Sequence, residues 1–163
     1  MPVEIHRIQR DKRKHLDLLL LADEQEEMIE RYLDRGALFL LTERGSRRAA
    51  AVVTQESGTV CELKNLSVEP KFQRRGYGRA LVGWLAGHYR DRFETMQVGT
   101  GEAPSTLAFY QSCGFSPSHR IPGFFTIHYD HPIVEDGVLL ADMVVLSMPL
   151  KAAPIVTFRE EFL

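Results

Sequence analysis

The stretch VEPKFQRRGYGRALVGWL, residues 68–85, decides the fold, because a strand gives way to a helix inside it. Apolar residues at helical spacing predict a helix from near Gly76 to about Tyr89. The first turn of a helix carries unpaired N–H groups and a partial positive charge. Gly76 and Gly78 remove side chains that would keep a ligand away from those N–H groups. The stretch therefore predicts a binding site for an anion.

The residues around the two glycines favour a phosphate or a pyrophosphate as that anion. Further donors and positive charge come from Gln73, Arg74, Arg75 and Arg79. Neither common nucleotide motif fits: no G-x-x-x-x-G-K-[ST] string is present, and Leu81 occupies the third glycine position of G-x-G-x-x-G. The alternative is a glycine-rich helix start with solvated arginines. The string QRRGYGR, preceded by the strand ending NLSVEP, makes that alternative the weaker one.

The elements outside this stretch predict a mixed α/β domain over residues 1–150, followed by an arm over 151–163. A half-buried strand at 3–8 precedes two helices, of which the second is capped by Asp23 and ends at Gly36. Three strands joined by tight turns follow and predict an antiparallel meander. The last elements before the arm are predicted as a strand at 94–100, a helix at 103–113, a turn-rich segment at 115–140 and a strand at 141–150.

Composition excludes several classes of protein. The chain has 163 residues, and its net charge of −2 gives no reason to expect nucleic acid as a partner. Its apolar run at Leu18–Ala22 is far shorter than the ~20 residues of a membrane span. Two cysteines are too few for a disulfide framework, and no signal peptide is recognisable at the N-terminus. We expect a cytoplasmic protein.

Two segments resemble the signatures of the GNAT acetyltransferase family. LSVEPKFQRRGYGRALVGWL is similar to the coenzyme A motif of that family, and LAFYQSCGF, residues 107–115, is similar to its late-helix signature. The segment at 123–150 resembles a bacterial, YvbK-like subgroup. The resemblance implies an α/β fold with a mixed, mostly antiparallel sheet of six to seven strands and about four helices. It also implies acetyl-CoA as the cosubstrate.

The resemblance assigns coenzyme-binding roles to residues of this chain. The backbone of Leu66, Ser67 and Val68 would pair with the pantetheine arm, with the Val68 N–H directed at the thioester carbonyl. The pyrophosphate would lie against Gln73, Arg74, Arg75, Gly76, Tyr77, Gly78 and Arg79. Many relatives place an asparagine before the late helix to contact pantetheine. Here the stretch GEAPST has none, and Ser105 is the candidate substitute.

An acetyl thioester needs an amine nucleophile that has lost a proton, since alkyl amines have pKa values near ~10. Glu62 is the candidate base; the alternative is that it faces solvent or pairs with Lys64, with which it shares a strand face. Tyr110 is the candidate proton donor to the leaving sulfur, or else a buried anchor of its helix. Cys61 and Cys113 are expected in the core, not as nucleophiles.

The aromatic segment FFTIHYDH, residues 124–131, is the candidate acceptor site. Its side chains that would contact the acceptor are Phe124, Phe125, Tyr129 and Asp130, and Glu135 or Asp136 could also receive a cationic group. A packed loop that merely covers the sheet is equally compatible with this composition. His119 and His131 are second-choice bases. A metal site at His128, Asp130 and His131 is not expected, because their spacing suits no strand face.

These patterns lead to one main functional hypothesis and an alternative. The first is an acetyl-CoA-dependent N-acetyltransferase that acetylates a primary amine of a small molecule or peptide by direct attack in a ternary complex. The alternative is a catalytically inactive acyl-CoA-binding or sensor module. Apolar residues in the arm, such as Ile155 and Phe158, make a homodimer possible.

Overall fold

The computed structural model describes residues 3–151, which form one seven-stranded sheet with helices on both faces. The strands of this sheet are β1 (Val3–Ile8), β2 (Ala37–Glu43), β3 (Ser46–Gln55), β4 (Val60–Val68), β5 (Thr95–Thr100), β6 (Ser116–Ile121) and β9 (Met143–Pro149). A separate hairpin pairs β7 (Val134–Glu135) with β8 (Val138–Leu139). The helices are α1 (Leu16–Leu19), α2 (Glu26–Leu33), α3 (Tyr77–Tyr89), α4 (Pro104–Ser112) and α5 (Phe124–His128).

The strand order is β1-β2-β3-β4-β5-β9-β6, and every neighbouring pair is antiparallel except β4 and β5. The predicted mixed, mostly antiparallel sheet is therefore confirmed. Within residues 3–151, no helix combines the length and apolar character that crossing a bilayer requires.

Two apolar clusters hold the helices against opposite faces of the sheet. On one face, α3 buries Leu81 and Leu85 completely against β-strand residues such as Phe39. On the other face, α1 and α2 bury Leu19 and Ile29. Complete burial of each leucine or isoleucine contributes about 1.5–3 kcal/mol, so both helix layers are firmly fixed to the sheet.

The sheet opens between β4 and β5. The parallel pairing runs from Val60 opposite Thr95 to Leu63 opposite Val98 and then stops, although β4 continues to Val68. A β-bulge lies at the same level, because Val52 pairs with Asn65 while Val53 pairs with Leu63. The backbone of residues 64–68 therefore has no strand partner on the side that faces β5. Apart from the Val68 carbonyl, which accepts a hydrogen bond from the Gln73 side chain at 3.2 Å, this edge leaves N–H and C=O groups available to a ligand strand.

Three local predictions need correction. Residues 12–15 form a 3₁₀ turn, so the predicted leucine-rich helix is reduced to α1. Gln25, not Asp23, precedes the first residue of α2, because the Asp23 carboxylate is drawn to the hydroxyls of Tyr32 and Tyr129 instead. The turn-rich segment contains β6, α5 and the β7–β8 hairpin. The predicted arm, apart from Lys151, lies outside the described residues.

Candidate functional site

A cavity of about 520 Å³ lies between the unpaired part of β4, the start of α3 and one face of α4. We call it the helix-start cavity. Its lining comprises Leu66, Val68, Phe72, Gln73, Arg74, Gly76, Tyr77, Gly78, Arg79, Ser105, Thr106, Phe109 and Tyr110. All the predicted coenzyme-binding residues line it except Ser67 and Arg75. Three further lining residues, Phe72, Thr106 and Phe109, were not predicted, although Thr106 and Phe109 share a helix face with Ser105 and Tyr110.

The two glycines of the motif have different physical roles. Gly76 precedes α3 with φ at +89°, a left-handed conformation that glycine adopts without strain. A Cβ at Gly76 would meet no atom within 4 Å, whereas one at Gly78 would lie 3.3 Å from the Phe109 ring and 3.5 Å from Val68. Gly76 therefore sets the backbone turn that exposes the N–H groups, and Gly78 allows α3 to approach α4 and β4 closely.

The three predicted arginines have different partners. Arg79 donates to the carbonyl and hydroxyl of Ser112 at the end of α4, at 3.0 and 2.7 Å. The Arg75 guanidinium lies 5.4 Å from the centre of the Phe72 ring, and Arg75 is not among the residues that line the cavity. Arg74 lines the cavity, and within residues 3–151 its side chain makes no hydrogen bond or ion pair. Arg74 is thus the arginine best placed to meet an anionic ligand.

Tyr110 lies on α4 at the inner end of the helix-start cavity. Its ring packs edge-on against Phe109 and Phe115, with centroid distances of 5.1 and 5.7 Å. Burial raises the pKa of its phenol, and the nearby Cys113 and Glu135 raise it further. No hydrogen bond to another described residue, within 3–151, engages the hydroxyl. The phenol is therefore a neutral donor, free to act on a ligand.

A second cavity, of about 430 Å³, lies on the opposite side of β4. We call it the aromatic cavity, because Phe124, Phe125, Tyr129 and Tyr32 form much of its wall. Glu62 faces this cavity, where its two oxygens accept from the Lys64 ammonium and the Gln97 amide, both at 2.6 Å. The predicted pair with Lys64 is therefore present, and the role of Glu62 as a base stays a prediction.

A cleft of about 480 Å³ lies beside both cavities and shares lining residues with each of them. It shares Leu66, Gln73, Thr106 and Tyr110 with the helix-start cavity. It shares Leu63, Lys64 and Glu135 with the aromatic cavity. The opening between β4 and β5 thus joins an anion-binding end to an aromatic end, with Tyr110 on the path.

The β7–β8 hairpin reaches over this cleft and contacts α4. Asp136 accepts hydrogen bonds from the Ser105 amide, at 3.0 Å, and from its hydroxyl. These bonds hold the pKa of Asp136 below its usual range, and the charge of Arg74 lowers it further. Ser105 lines the helix-start cavity as predicted, but its hydroxyl is engaged by Asp136, so a contact with pantetheine stays a prediction.

Three of the four side chains predicted to contact the acceptor line the aromatic cavity, and the fourth does not. Phe124, Phe125 and Tyr129 line the aromatic cavity, as does His119. Asp130 does not: its side chain is 79% exposed and its carboxylate pairs with His131 at 2.6 Å. Tyr129 and Tyr32 both donate to Asp23, and Asn65 of β4 donates to the Tyr32 hydroxyl. This network fixes the aromatic wall to the strand that carries the bulge.

The cysteines are core residues. Cys61 is fully buried, and burial raises its pKa to about 12, so its thiol is protonated at neutral pH. Cys113 is half-buried and its pKa is raised as well. In the part of the chain that the structure describes, no three His, Cys, Asp or Glu side chains converge as metal ligands would.

Comparison with known proteins agrees with this geometry. A family model for an acetyltransferase (GNAT) domain matches residues 34–117, which is just over half of the chain. The chain belongs to the GNAT acetyltransferase family. The predicted family and enzyme class are thus confirmed.

Among the similar proteins is the uncharacterised N-acetyltransferase YvbK of Bacillus subtilis, 32% identical over 136 residues, or 82% of this chain and 88% of that protein. The [ribosomal protein bS18]-alanine N-acetyltransferase of Escherichia coli is 31% identical over 127 residues, or 74% of each chain.

A crystal structure of a GNAT family acetyltransferase from Elizabethkingia anophelis, with acetyl-CoA bound, superimposes with a TM-score of 0.86 at 31% identity. The superposition covers 90% of this chain and 97% of that one. Acetyl-CoA is thus the expected cosubstrate, and the residues of the helix-start cavity fit it: N–H groups and Arg74 for its phosphates, and an unpaired strand edge for its amide-rich arm.

Proposed function

We propose that the protein transfers the acetyl group of acetyl-CoA to a primary amine of a small molecule or peptide, by direct attack in a ternary complex. The observation that carries this proposal is that the cleft shares lining residues with the helix-start cavity on one side and with the aromatic cavity on the other, which defines a path between them. Two substrates can occupy the two ends together, and no covalent enzyme intermediate is needed. The buried, protonated Cys61 supports the same conclusion.

The residues of the path have distinct roles in this reaction. The pyrophosphate binds at the start of α3, and the pantetheine arm pairs with the free edge of β4 from Leu66 to Val68. The Val68 N–H is the predicted donor to the thioester carbonyl, where an oxyanion develops during attack. The neutral phenol of Tyr110 donates a proton to the leaving sulfur. A carboxylate facing the aromatic cavity takes the proton of the amine, and Glu62 is the candidate from sequence.

The acceptor enters through the aromatic cavity. Its aromatic wall suits an apolar part of the acceptor, and the carboxylates Glu62 and Glu135 suit an ammonium group. The E. coli relative is named as an alanine N-acetyltransferase of the ribosomal protein bS18. A peptide amine is therefore included with small amines among the proposed acceptors. The predicted cytoplasmic location and homodimer stay predictions.

Release of the CoA thiol in the presence of different amines tests the proposal. The panel contains aliphatic, aromatic and polyamine small molecules and peptides with a free N-terminal alanine. We expect at least one amine to stimulate thiol release and to be recovered in acetylated form by mass spectrometry. Tight binding of acetyl-CoA in calorimetry with no acceptor-dependent release from the whole panel would instead support the inactive binding module.

A further inference from the structure

We propose that Glu135, rather than Glu62, receives the ammonium group of the acceptor and accepts its proton. The inference rests on the N-acetyltransferase function proposed above. Glu135 lies in the short strand β7. From sequence, Glu135 was one of several residues that could receive a cationic group, and it had no predicted role as a base.

Glu135 occupies a position between the two cavities that distinguishes it from the other carboxylates of the site. Among the carboxylates of residues 3–151, Glu135 is the only one that lines both the aromatic cavity and the connecting cleft. Glu62 lines the aromatic cavity alone, and Asp136 lines the cleft alone. Tyr110 lines the same cleft as Glu135, and the charge of Glu135 reaches it strongly enough to raise its pKa. Glu135 therefore lies where the amine must meet the thioester.

The other carboxylates of the aromatic cavity already have partners in the protein. The Lys64 ammonium and the Gln97 amide engage both oxygens of Glu62, and two tyrosine hydroxyls engage both oxygens of Asp23. Glu56, the remaining carboxylate of the aromatic cavity, pairs with Arg35 at 2.9 Å. Within residues 3–151 Glu135 has no ion pair, and the neighbouring Thr106 side chain only lowers the pKa of its carboxyl group. It is thus the carboxylate with a free charge to offer an ammonium.

The environment of the Glu135 carboxyl group is a further argument. Burial raises the pKa of Glu135, and the like charges of Asp136 and Glu24 raise it further, while the Thr106 side chain lowers it. Tyr110 of α4 and Lys64 of β4 are the other titratable residues that line the cleft. A carboxylate with a raised pKa is a stronger proton acceptor, which suits a base that must deprotonate an amine.

The reaction balances with this assignment. The R–NH₃⁺ group transfers one proton to the Glu135 carboxylate, and the free nitrogen pair then attacks the thioester carbon to form the C–N bond. The C–S bond breaks and its electron pair goes to sulfur, which takes a proton from the Tyr110 hydroxyl. The tyrosinate recovers a proton from the attacking nitrogen, and Glu135 releases its proton to solvent. The products are R–NH–COCH₃, CoA–SH and H⁺.

The test compares Glu135→Gln with Glu62→Gln, and uses Glu4→Gln on the exposed, distant strand β1 as the matched control. For each protein, kcat/KM for the best amine of the panel is measured between about pH 5 and 9, and the Kd for acetyl-CoA is measured by calorimetry. In the wild type, kcat/KM should rise with pH and level off above the pKa of Glu135. We expect Glu135→Gln to lower kcat/KM near neutral pH by at least about 10²-fold and to show a rise that continues to about pH 9, because only the free amine, whose pKa is near ~10, can then attack, while the Kd stays unchanged. Glu62→Gln should keep the levelling off, and Glu4→Gln should match the wild type.

Two results would overturn the assignment. One is a Glu135→Gln enzyme with the kcat/KM and pH profile of the wild type; the other is loss of the levelling off in Glu62→Gln alone. If Glu135→Gln fails to fold, Glu135→Asp decides: it should be slower but still level off, and a kcat/KM that keeps rising to about pH 9 would contradict the proposal. A wild-type protein that releases no thiol with any amine would overturn the proposed function itself, a result that no variant comparison produces.

Discussion

Replacing Tyr110 with phenylalanine removes one hydroxyl and keeps the ring contacts with Phe109 and Phe115 at 5.1 and 5.7 Å between centroids. Since the hydroxyl makes no hydrogen bond within residues 3–151, its loss strands no partner in the protein. We therefore expect the free energy of unfolding to change by less than about 1 kcal/mol. The variant should fold and bind acetyl-CoA like the parent protein.

Turnover should respond very differently. A positioned proton donor contributes about 10²–10⁴-fold to a rate, which corresponds to about 2.7–5.4 kcal/mol at 1.36 kcal/mol for each factor of ten. Because the phenol acts on the leaving sulfur and not on the bound ground state, kcat should fall by this factor while the coenzyme Kd stays constant. The contrast between a small change in stability and a large change in rate is specific to a chemical role.

Three measurements decide this prediction. Urea unfolding gives the stability, calorimetry gives the Kd for acetyl-CoA, and a chromogenic thiol assay with saturating amine gives kcat. Tyr89→Phe is the matched control, because Tyr89 is another buried tyrosine, on α3, outside the proposed site. A Tyr110→Phe enzyme with the turnover of Tyr89→Phe would refute the role of Tyr110 and leave it as an anchor of its helix.

Three further predictions concern the coenzyme site, the aromatic wall and the cysteine. Gly76→Ala and Gly45→Ala should each lose about 1–2 kcal/mol of stability, because both glycines have positive φ and open space around them. Calorimetry should show weaker acetyl-CoA binding for Gly76→Ala alone. Equal acetyl-CoA binding by the two variants would contradict the anion site. Burial raises the pKa of Asp23 in the folded protein above the usual aspartate value of 3.8. The contribution of Asp23 to the free energy of unfolding should therefore fall as the pH rises from 3.8 through the folded pKa. Urea unfolding at several pH values should show this fall in the parent protein and not in Asp23→Asn. Iodoacetamide should not label Cys61 in the folded protein and Cys61→Ala should keep its turnover; inactivation that follows labelling of Cys61 would argue for a covalent route.

The anion site could be predicted because its signals are local. The sequence predicted a helix from near Gly76 to about Tyr89, and α3 runs from Tyr77 to Tyr89 with Gly76 as its preceding residue. A left-handed turn, unpaired N–H groups and a following apolar stripe all depend on residues within a few positions of each other. A prediction from local sequence therefore agrees closely with the structure in this segment.

Strand β4 shows where a local rule fails. Strict alternation would place Glu62, Leu66 and Val68 on one face of the sheet. The bulge at Lys64 shifts the alternation, so that Leu66 and Val68 pack with the same cluster as Cys61 and Leu63 while Glu62 faces the aromatic cavity. The extra residue is accommodated by the register between β3 and β4, which a single strand does not encode in its own pattern.

Contacts between distant segments were also beyond the sequence. Asp136 reaches Ser105 across 31 positions, and Tyr129 reaches Asp23 across 106. Neither pair has a periodic or motif-like signal, because the meeting depends on how the β7–β8 hairpin and α5 pack over the sheet. The same packing brings Glu135 to the cleft and leaves Asp130 in solvent, although the sequence offered both as partners for a cation.

The sequence by itself determined the family, the mixed sheet and the anion-binding helix start, since each of these depends on short-range patterns and a linear motif. The tertiary structure alone decided which carboxylates are engaged, which cavity-lining arginine is left without a protein partner among residues 3–151, and which residues the cleft shares with the two cavities. The physical reason is that charge pairing, burial and cavity shape are sums over neighbours from many elements. Those neighbours are defined only by the folded arrangement of the bulge in β4, the opening between β4 and β5, and the β7–β8 hairpin.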